Sequence, residues 1–203
     1  MNGFEQGLRR YLSEEQLCRI RSVKVGIAGA GGLGSNCAAA LVRSGFRHLK
    51  ITDFDVVDNS NLNRQFYFLH QVGQTKVEAL RENLINIDPD ADIEASAVKL
   101  TAQNVGEIFQ DCDVVVEAFD RPEYKKMIVE TIMGSKKLLV AASGLAGWGE
   151  SDRISVRKVR DNFYLVGDLS TGIAAGVPPL APCVLIAAAK QADIVLSYAL
   201  GTL

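Results

Sequence analysis

The chain has 203 residues, 48% hydrophobic and 23% charged, with a formal net charge of −2, enough for one domain with a sizeable core. That balance leaves no nucleic-acid or anionic-membrane footprint, so basic pairs such as Lys125-Lys126, Lys136-Lys137 and Arg157-Lys158 read as solvated faces. No stretch approaches the roughly 20 apolar residues of a membrane span, and residues 1–11 are polar without a signal core, so the expectation is a cytoplasmic protein.

In chain order, residues 13–21 fit a short helix capped by Ser13, with Glu15 and its acidic neighbours in the first turn. The apolar run 23–28 reads as a strand, and an Ala-rich segment of helical period follows over 34–44, stopped by Gly45. Residues 49–52 form a second strand that opens into a polar loop. Over 73–86, Val77, Leu80 and Leu84 recur at helical spacing, and Pro89 bounds the helix. Residues 93–98 alternate as a half-buried strand does, and 101–109 predicts a helix capped by Thr101. A buried strand, 114–118, precedes a helix from Pro122 to about residue 133, with proline at the first turn where it is tolerated. Residues 138–142 are again a buried strand.

Beyond Ser143 the rhythm changes. Residues 144–149 are glycine-rich around the single tryptophan, Trp148. Residues 153–159 and 163–166 can pair antiparallel across Arg160-Asp161-Asn162. A Gly/Pro-rich loop, 168–182, leads to a helical period over 184–200. Repeated strand–helix alternation predicts an α/β fold: a Rossmann-like, mostly parallel twisted sheet with helices on both faces and an antiparallel C-terminal extension. One domain spans 1–203: a helical segment (1–22), a nucleotide-binding half (23–142), and the extension with its crossover loop and closing helix (143–203).

The stretch from Val23 to Gln65 organises the rest. Gly29-x-Gly31-Gly32-x-Gly34 joins the first strand to its helix. Gly29 permits the tight turn, Gly31 a close phosphate approach, and Gly34 close helix–strand packing. Free N–H groups at the helix start make an anion site. Asp53 ends the second strand, about 20 residues on, where an acidic side chain commonly accepts ribose hydroxyls. Asp55 and Ser60-Asn61-Leu62-Asn63-Arg64-Gln65 then place polar groups just beyond that strand's carboxyl end, a cluster a nicotinamide site does not need. The four cysteines, Cys18, Cys37, Cys112 and Cys183, form no C-x-x-C pair and accompany only two histidines, so neither zinc nor a disulfide framework is expected.

The glycine turn, the D-x-D after the second strand, SNLNRQ, the downstream GQTKVEAL and Ala118-Phe119-Asp120 together resemble the ThiF family. These are adenylyltransferases that activate ubiquitin-like sulfur carriers, akin to MoeB and to the adenylation domain of ubiquitin-activating enzymes. The similarity runs from about Tyr11 to Leu200, and GWGESD and RDNFYLVGD resemble a short bacterial branch linked to thiamine biosynthesis. The resemblance implies ATP and Mg²⁺ as cofactors, a homodimer, and as partner a sulfur carrier protein ending in Gly-Gly. The carrier's carboxylate would attack the α-phosphate of ATP, giving an acyl-adenylate and pyrophosphate.

It further implies that the backbone from Gly29 to Gly34, Gly32 included, faces the α-phosphate and that Asp53 holds the ribose. Asn61, Arg64 and Gln65 would contact phosphates, and Lys76 the leaving pyrophosphate. No GK[ST] follows the glycines, so the cations must come from elsewhere, and Arg64 and Lys76 are the candidates. Asp120 would hold Mg²⁺ or set the α-phosphate geometry, with a helix cap as its plainer role; Asp55 would join the metal or brace the loop. Cys183 either packs in an apolar setting or bonds covalently to the carrier, and Arg9 or Arg10 would correspond to an arginine donated across the dimer. The larger relatives' C-x-x-C zinc ligands are missing. Readings that keep the fold but change the chemistry are adenylation of a small carboxylate or a tRNA nucleoside, and a non-catalytic nucleotide-binding or NAD(P) module.

Overall fold

The computed structural model describes residues 2–172, 174 and 176–203. In chain order the elements are α1 (Gly3–Leu8), α2 (Glu14–Ser22), β1 (Lys24–Ala28), α3 (Gly32–Arg43), β2 (His48–Thr52), α4 (Lys76–Ile85) and β3 (Asp92–Ser96). Then come α5 (Val105–Ile108), β4 (Val114–Glu117), α6 (Pro122–Ile132), β5 (Leu138–Ala142), β6 (Ser155–Arg160), β7 (Phe163–Gly167) and α7 (Ala181–Leu200). One 7-stranded sheet has the order β3-β2-β1-β4-β5-β7-β6, with β6–β7 as its antiparallel pair. The α/β architecture is the one expected.

Alternate strand residues point to opposite faces, and the two faces carry separate cores. Val25, Ile27, Val114 and Val116 meet the layer of α3, α4 and α7. Val115, Leu139 and Phe163 meet Phe109, just after α5, and Ile128 and Ile132 of α6. A Cβ at Gly26 would lie 2.5 Å from Phe109, so the second face requires glycine there.

Element boundaries moved for local reasons. Ser13 caps α2 as expected, with Gln16 closing the capping box. α4 starts at Lys76 rather than residue 73, because Gly73 has φ +92° and Thr75 bridges to Val56. The helix expected over 101–109 shrinks to α5: Asn104, not Thr101, is its N-cap, and the Asn104 side chain accepts from the Thr101 N–H at 2.8 Å, closing a separate turn. Within the expected loop 168–182, residues 173 and 175 lie outside the described residues.

One expectation is corrected. α7 has 20 residues with a mean hydropathy of 1.5 in its richest window, long and apolar enough to cross a membrane. Here it packs against α3 and the sheet, with half of that window buried. Small residues (Ala187, Ala188, Ala192) line its buried side and explain the close approach.

Candidate active site

The sequence runs from β1 outward to β2 and β3, then returns to β4 on the other side of β1. That reversal opens a crevice beyond the carboxyl ends of β1 and β4, where open α/β sheets bind ligands. A cavity of about 370 Å³ occupies it.

The glycine turn forms its floor. Gly29 has φ +102° and donates its N–H to the Thr52 carbonyl at 2.9 Å. A Cβ on Gly34 would come within 1.8 Å of the Gly29 oxygen, so only glycine lets α3 close on the turn. Gly31 differs: it is the N-cap of α3 at φ −77°, and its Cβ would meet nothing nearer than Gln65 Nε2 at 3.9 Å. The space above it is open to a ligand. Asp53 braces this floor, accepting from the Ala30 N–H at 2.7 Å and the Asp55 N–H at 2.8 Å.

Both expected cations line the cavity. Arg64 donates to the Ser60 carbonyl (3.1 Å) and Asn63 Oδ1 (2.8 Å), and Lys76, buried, pairs with Asp55 at 2.9 Å. Each rests on a local acceptor that an incoming phosphate can replace. Asn36 ties the loop to the floor, donating to the carbonyls of Gly32 and Arg64 at 2.6 and 2.8 Å. Gln65 is buried with its Oε1 unpartnered and faces the cavity. Asn61 does not line the cavity: its Oδ1 accepts from the Asp58 N–H at 3.1 Å and shapes the loop.

Asp120 projects into the cavity from the loop after β4 and does not cap α6, whose N-cap is Arg121. Beneath it, Glu117 is wholly buried. Its carboxylate accepts from the Phe119 N–H at 2.7 Å and pairs with Lys125 at 3.0 Å, while Lys125 also donates to the Ala142 carbonyl at 2.8 Å. Burial pushes the Glu117 carboxyl up and the neighbouring Lys125 charge pulls it back. Among the described residues no three His, Cys, Asp or Glu side chains converge as a metal cage. A Mg²⁺ carried by phosphates needs only one or two carboxylates, and Asp120 fits that role.

The lining includes the rings of Phe54, Phe119 and Tyr124 and a set of small residues, Ser143, Gly144, Ala146, Thr171 and Gly172. Asp168 shapes the segment that carries Thr171 and Gly172, accepting from the N–H groups of Ser170 and Thr171, both at 2.8 Å, and pairing with Arg153 at 2.9 Å. Burial opposes ionisation there, yet bonds from Thr171 and Ser170 bring its carboxyl to about 2. The segment is tied across the cavity by Asn63, which donates to the Pro179 carbonyl at 3.3 Å.

Cys183 lies in the first turn of α7 with 1% of its surface exposed, so a covalent role requires that end to open. Arg9 is engaged by Glu5 and Glu14 of its own chain, whereas Arg10 is exposed. Sequence reasoning missed Asn36, Phe54, Glu117, Tyr124 and Lys125. Glu117 closing an otherwise apolar strand was the available signal for one of them.

Residues 5–166 match the ThiF family. The chain belongs to the ThiF family. Among curated relatives it is 30% identical over 194 residues to the adenylyltransferase and sulfurtransferase UBA4 of Candida glabrata, covering 90% of this chain and 44% of that protein. With UBA4 of Aspergillus terreus it shares 38% over 135 residues, 65% of this chain and 28% of the relative. The chain thus spans less than half the length of these relatives. Its fold is that of E. coli tRNA N6-threonylcarbamoyladenosine dehydratase, TcdA, with a TM-score of 0.87, 20% identity, and 97% and 93% of the two chains covered. The E. coli MccB complex with MccA-N7isoASN superposes at a TM-score of 0.75 with 19% identity, covering all of this ThiF-family chain and 65% of MccB.

Proposed function

We propose that this ThiF-family chain is an ATP-dependent adenylyltransferase that activates the C-terminal Gly-Gly carboxylate of a ubiquitin-like sulfur carrier. The observation that carries the reading is the convergence of Gly31, Asp53, Arg64, Lys76 and Asp120 on one cavity from three strand-to-helix connections, β1–α3, β2–α4 and β4–α6. The glycine floor and the start of α3 receive the α-phosphate, and Asp53 accepts from the ribose. Arg64 and Lys76 leave Ser60, Asn63 and Asp55 to meet the outer phosphates. A Mg²⁺ held by Asp120 and phosphate oxygens would neutralise charge between the reactants. The substrate carboxylate oxygen bonds to the α-phosphorus while the bond to the bridging oxygen of the β-phosphate breaks, releasing pyrophosphate and leaving an acyl-adenylate. No side chain forms a bond, so positioning and electrostatics carry the rate.

The small residues in the lining, Ser143, Gly144, Ala146 and Gly172, support a substrate tail without side chains, as Gly-Gly is. The segments GWGESD and RDNFYLVGD favour a carrier of thiamine thiazole synthesis, and the family likeness a homodimer. The test is exchange of labelled pyrophosphate into ATP. Label should enter only with a Gly-Gly-ended carrier, and a carrier lacking its last glycine should be silent. Exchange driven by a small carboxylate or a modified tRNA, with every carrier silent, would overturn the carrier reading.

A further inference from the structure

Tyr67 stands two residues past Gln65, outside the cavity lining, and its ring is buried in the core shared by α3, α4 and α7. Its hydroxyl donates to the Ala30 carbonyl at 2.7 Å and lies 3.2 Å from the carbonyl of Lys76. A hydroxyl has one proton, so the shorter contact is the principal bond and the longer one a weaker arm. Burial, with the Asp53 charge nearby, holds the phenol well above its ordinary value, so it keeps that proton at every working pH.

Ala30 lies between Gly29 and Gly31, and both of its peptide planes are gripped. Asp53 accepts from its N–H at 2.7 Å, and Tyr67 holds its carbonyl. The Ala30 carbonyl and the Gly31 N–H share one trans peptide plane and point opposite ways. Drawing the carbonyl down into the core therefore turns the Gly31 N–H away from the core, on the residue that lines the cavity. That N–H has no acceptor among the described residues.

We infer that Tyr67 is a positioning residue for adenylyl transfer: its hydroxyl locks the Ala30–Gly31 peptide with the N–H presented to the α-phosphate. The inference rests on the nucleotide reading of the cavity. Without the hydroxyl, the Ala30 carbonyl is a buried acceptor that has lost its donor. The peptide then gains by rotating to find another, and the Gly31 N–H swings off the phosphate.

Tyr67→Phe removes the hydroxyl and keeps the ring that fills the core. Calorimetry would compare adenosine, AMP and ATP on the unaltered chain and the variant. AMP and ATP should each bind roughly fivefold to tenfold more weakly, and adenosine, which has no phosphate, should be unchanged. Amide NMR gives a second reading. On the unaltered chain AMP, and not adenosine, should move the Gly31 amide proton downfield, and in Tyr67→Phe that shift should shrink. A tyrosine that only fills the core would lower stability and leave AMP affinity and the Gly31 shift as they are, which would overturn the inference. Equal weakening of adenosine would overturn it as well. So would a Gly31 amide that ignores bound AMP on the unaltered chain, a result that holds whether or not the variant folds. An unaltered chain that binds neither AMP nor ATP would defeat the nucleotide reading, and the inference with it.

Discussion

Gly31 and Gly34 are three positions apart and do opposite things. At Gly31 the backbone is ordinary for any residue and the side-chain direction is open. Gly31→Ala should therefore keep the melting temperature and weaken Mg·ATP by at least roughly tenfold, by filling the space a phosphate needs. Gly34→Ala drives a methyl group into the Gly29 carbonyl and should cost about 3 kcal/mol in urea denaturation, whatever is bound. Arg64→Ala and Asp120→Ala should each leave the fold intact and lower pyrophosphate exchange by on the order of 100-fold. Normal exchange in both would remove these residues from the mechanism. Asp53, Arg64 and Lys76 were legible in the sequence because each sits in a short motif with a fixed offset from a strand end. Phe54 and Tyr124 were not, since they share the cavity only once the loop after β2 and helix α6 meet.

The strand–loop–helix unit β4–α6 holds Asp120 by means of Glu117 and Lys125. Both oxygens of the buried carboxylate are used, and the lysine links it to the end of β5. Lys125→Met should destabilise by about 3–5 kcal/mol, because it strands a charge that has lost its counter-ion. Burial already raises the Glu117 carboxyl, so in the variant the stranded group takes up a proton readily. The deficit should therefore shrink as pH falls from neutral towards mildly acidic, and urea midpoints at the two conditions would show it; a constant deficit would contradict the assignment. At this scale strands and long helices were readable from periodicity. α5 was not, because Asn104 diverts the preceding residues into a side-chain-closed turn.

Across the molecule, α1 is fastened by Glu5, a buried carboxylate facing Arg9, Arg21 and Arg47. The hydrogen bond from Arg9, helped by Arg21 and Arg47 against the cost of burial, brings Glu5 from 4.5 to about 2. A carboxylate lowered in the folded state stabilises above its unfolded value and loses that contribution as pH falls through the folded one. The gap in urea midpoint between the parent chain and Glu5→Gln should be full above 4.5 and close between there and about 2. A gap independent of pH would show that the arginines do not act through charge. The global α/β order followed from alternating patterns, whereas this junction joins α1 and the residue after it, α2, and the residue before β2, which no local pattern links.

α7 gives the domain a further property. A segment greasy enough for a bilayer stays harmless only while α3 and the sheet wrap it. Partial melting that peels it away would present a continuous sticky surface, and neighbouring molecules would capture it before it could redock. Loss on heating should then be one-way and timed by the escape of that helix, so the apparent midpoint should rise with the heating rate.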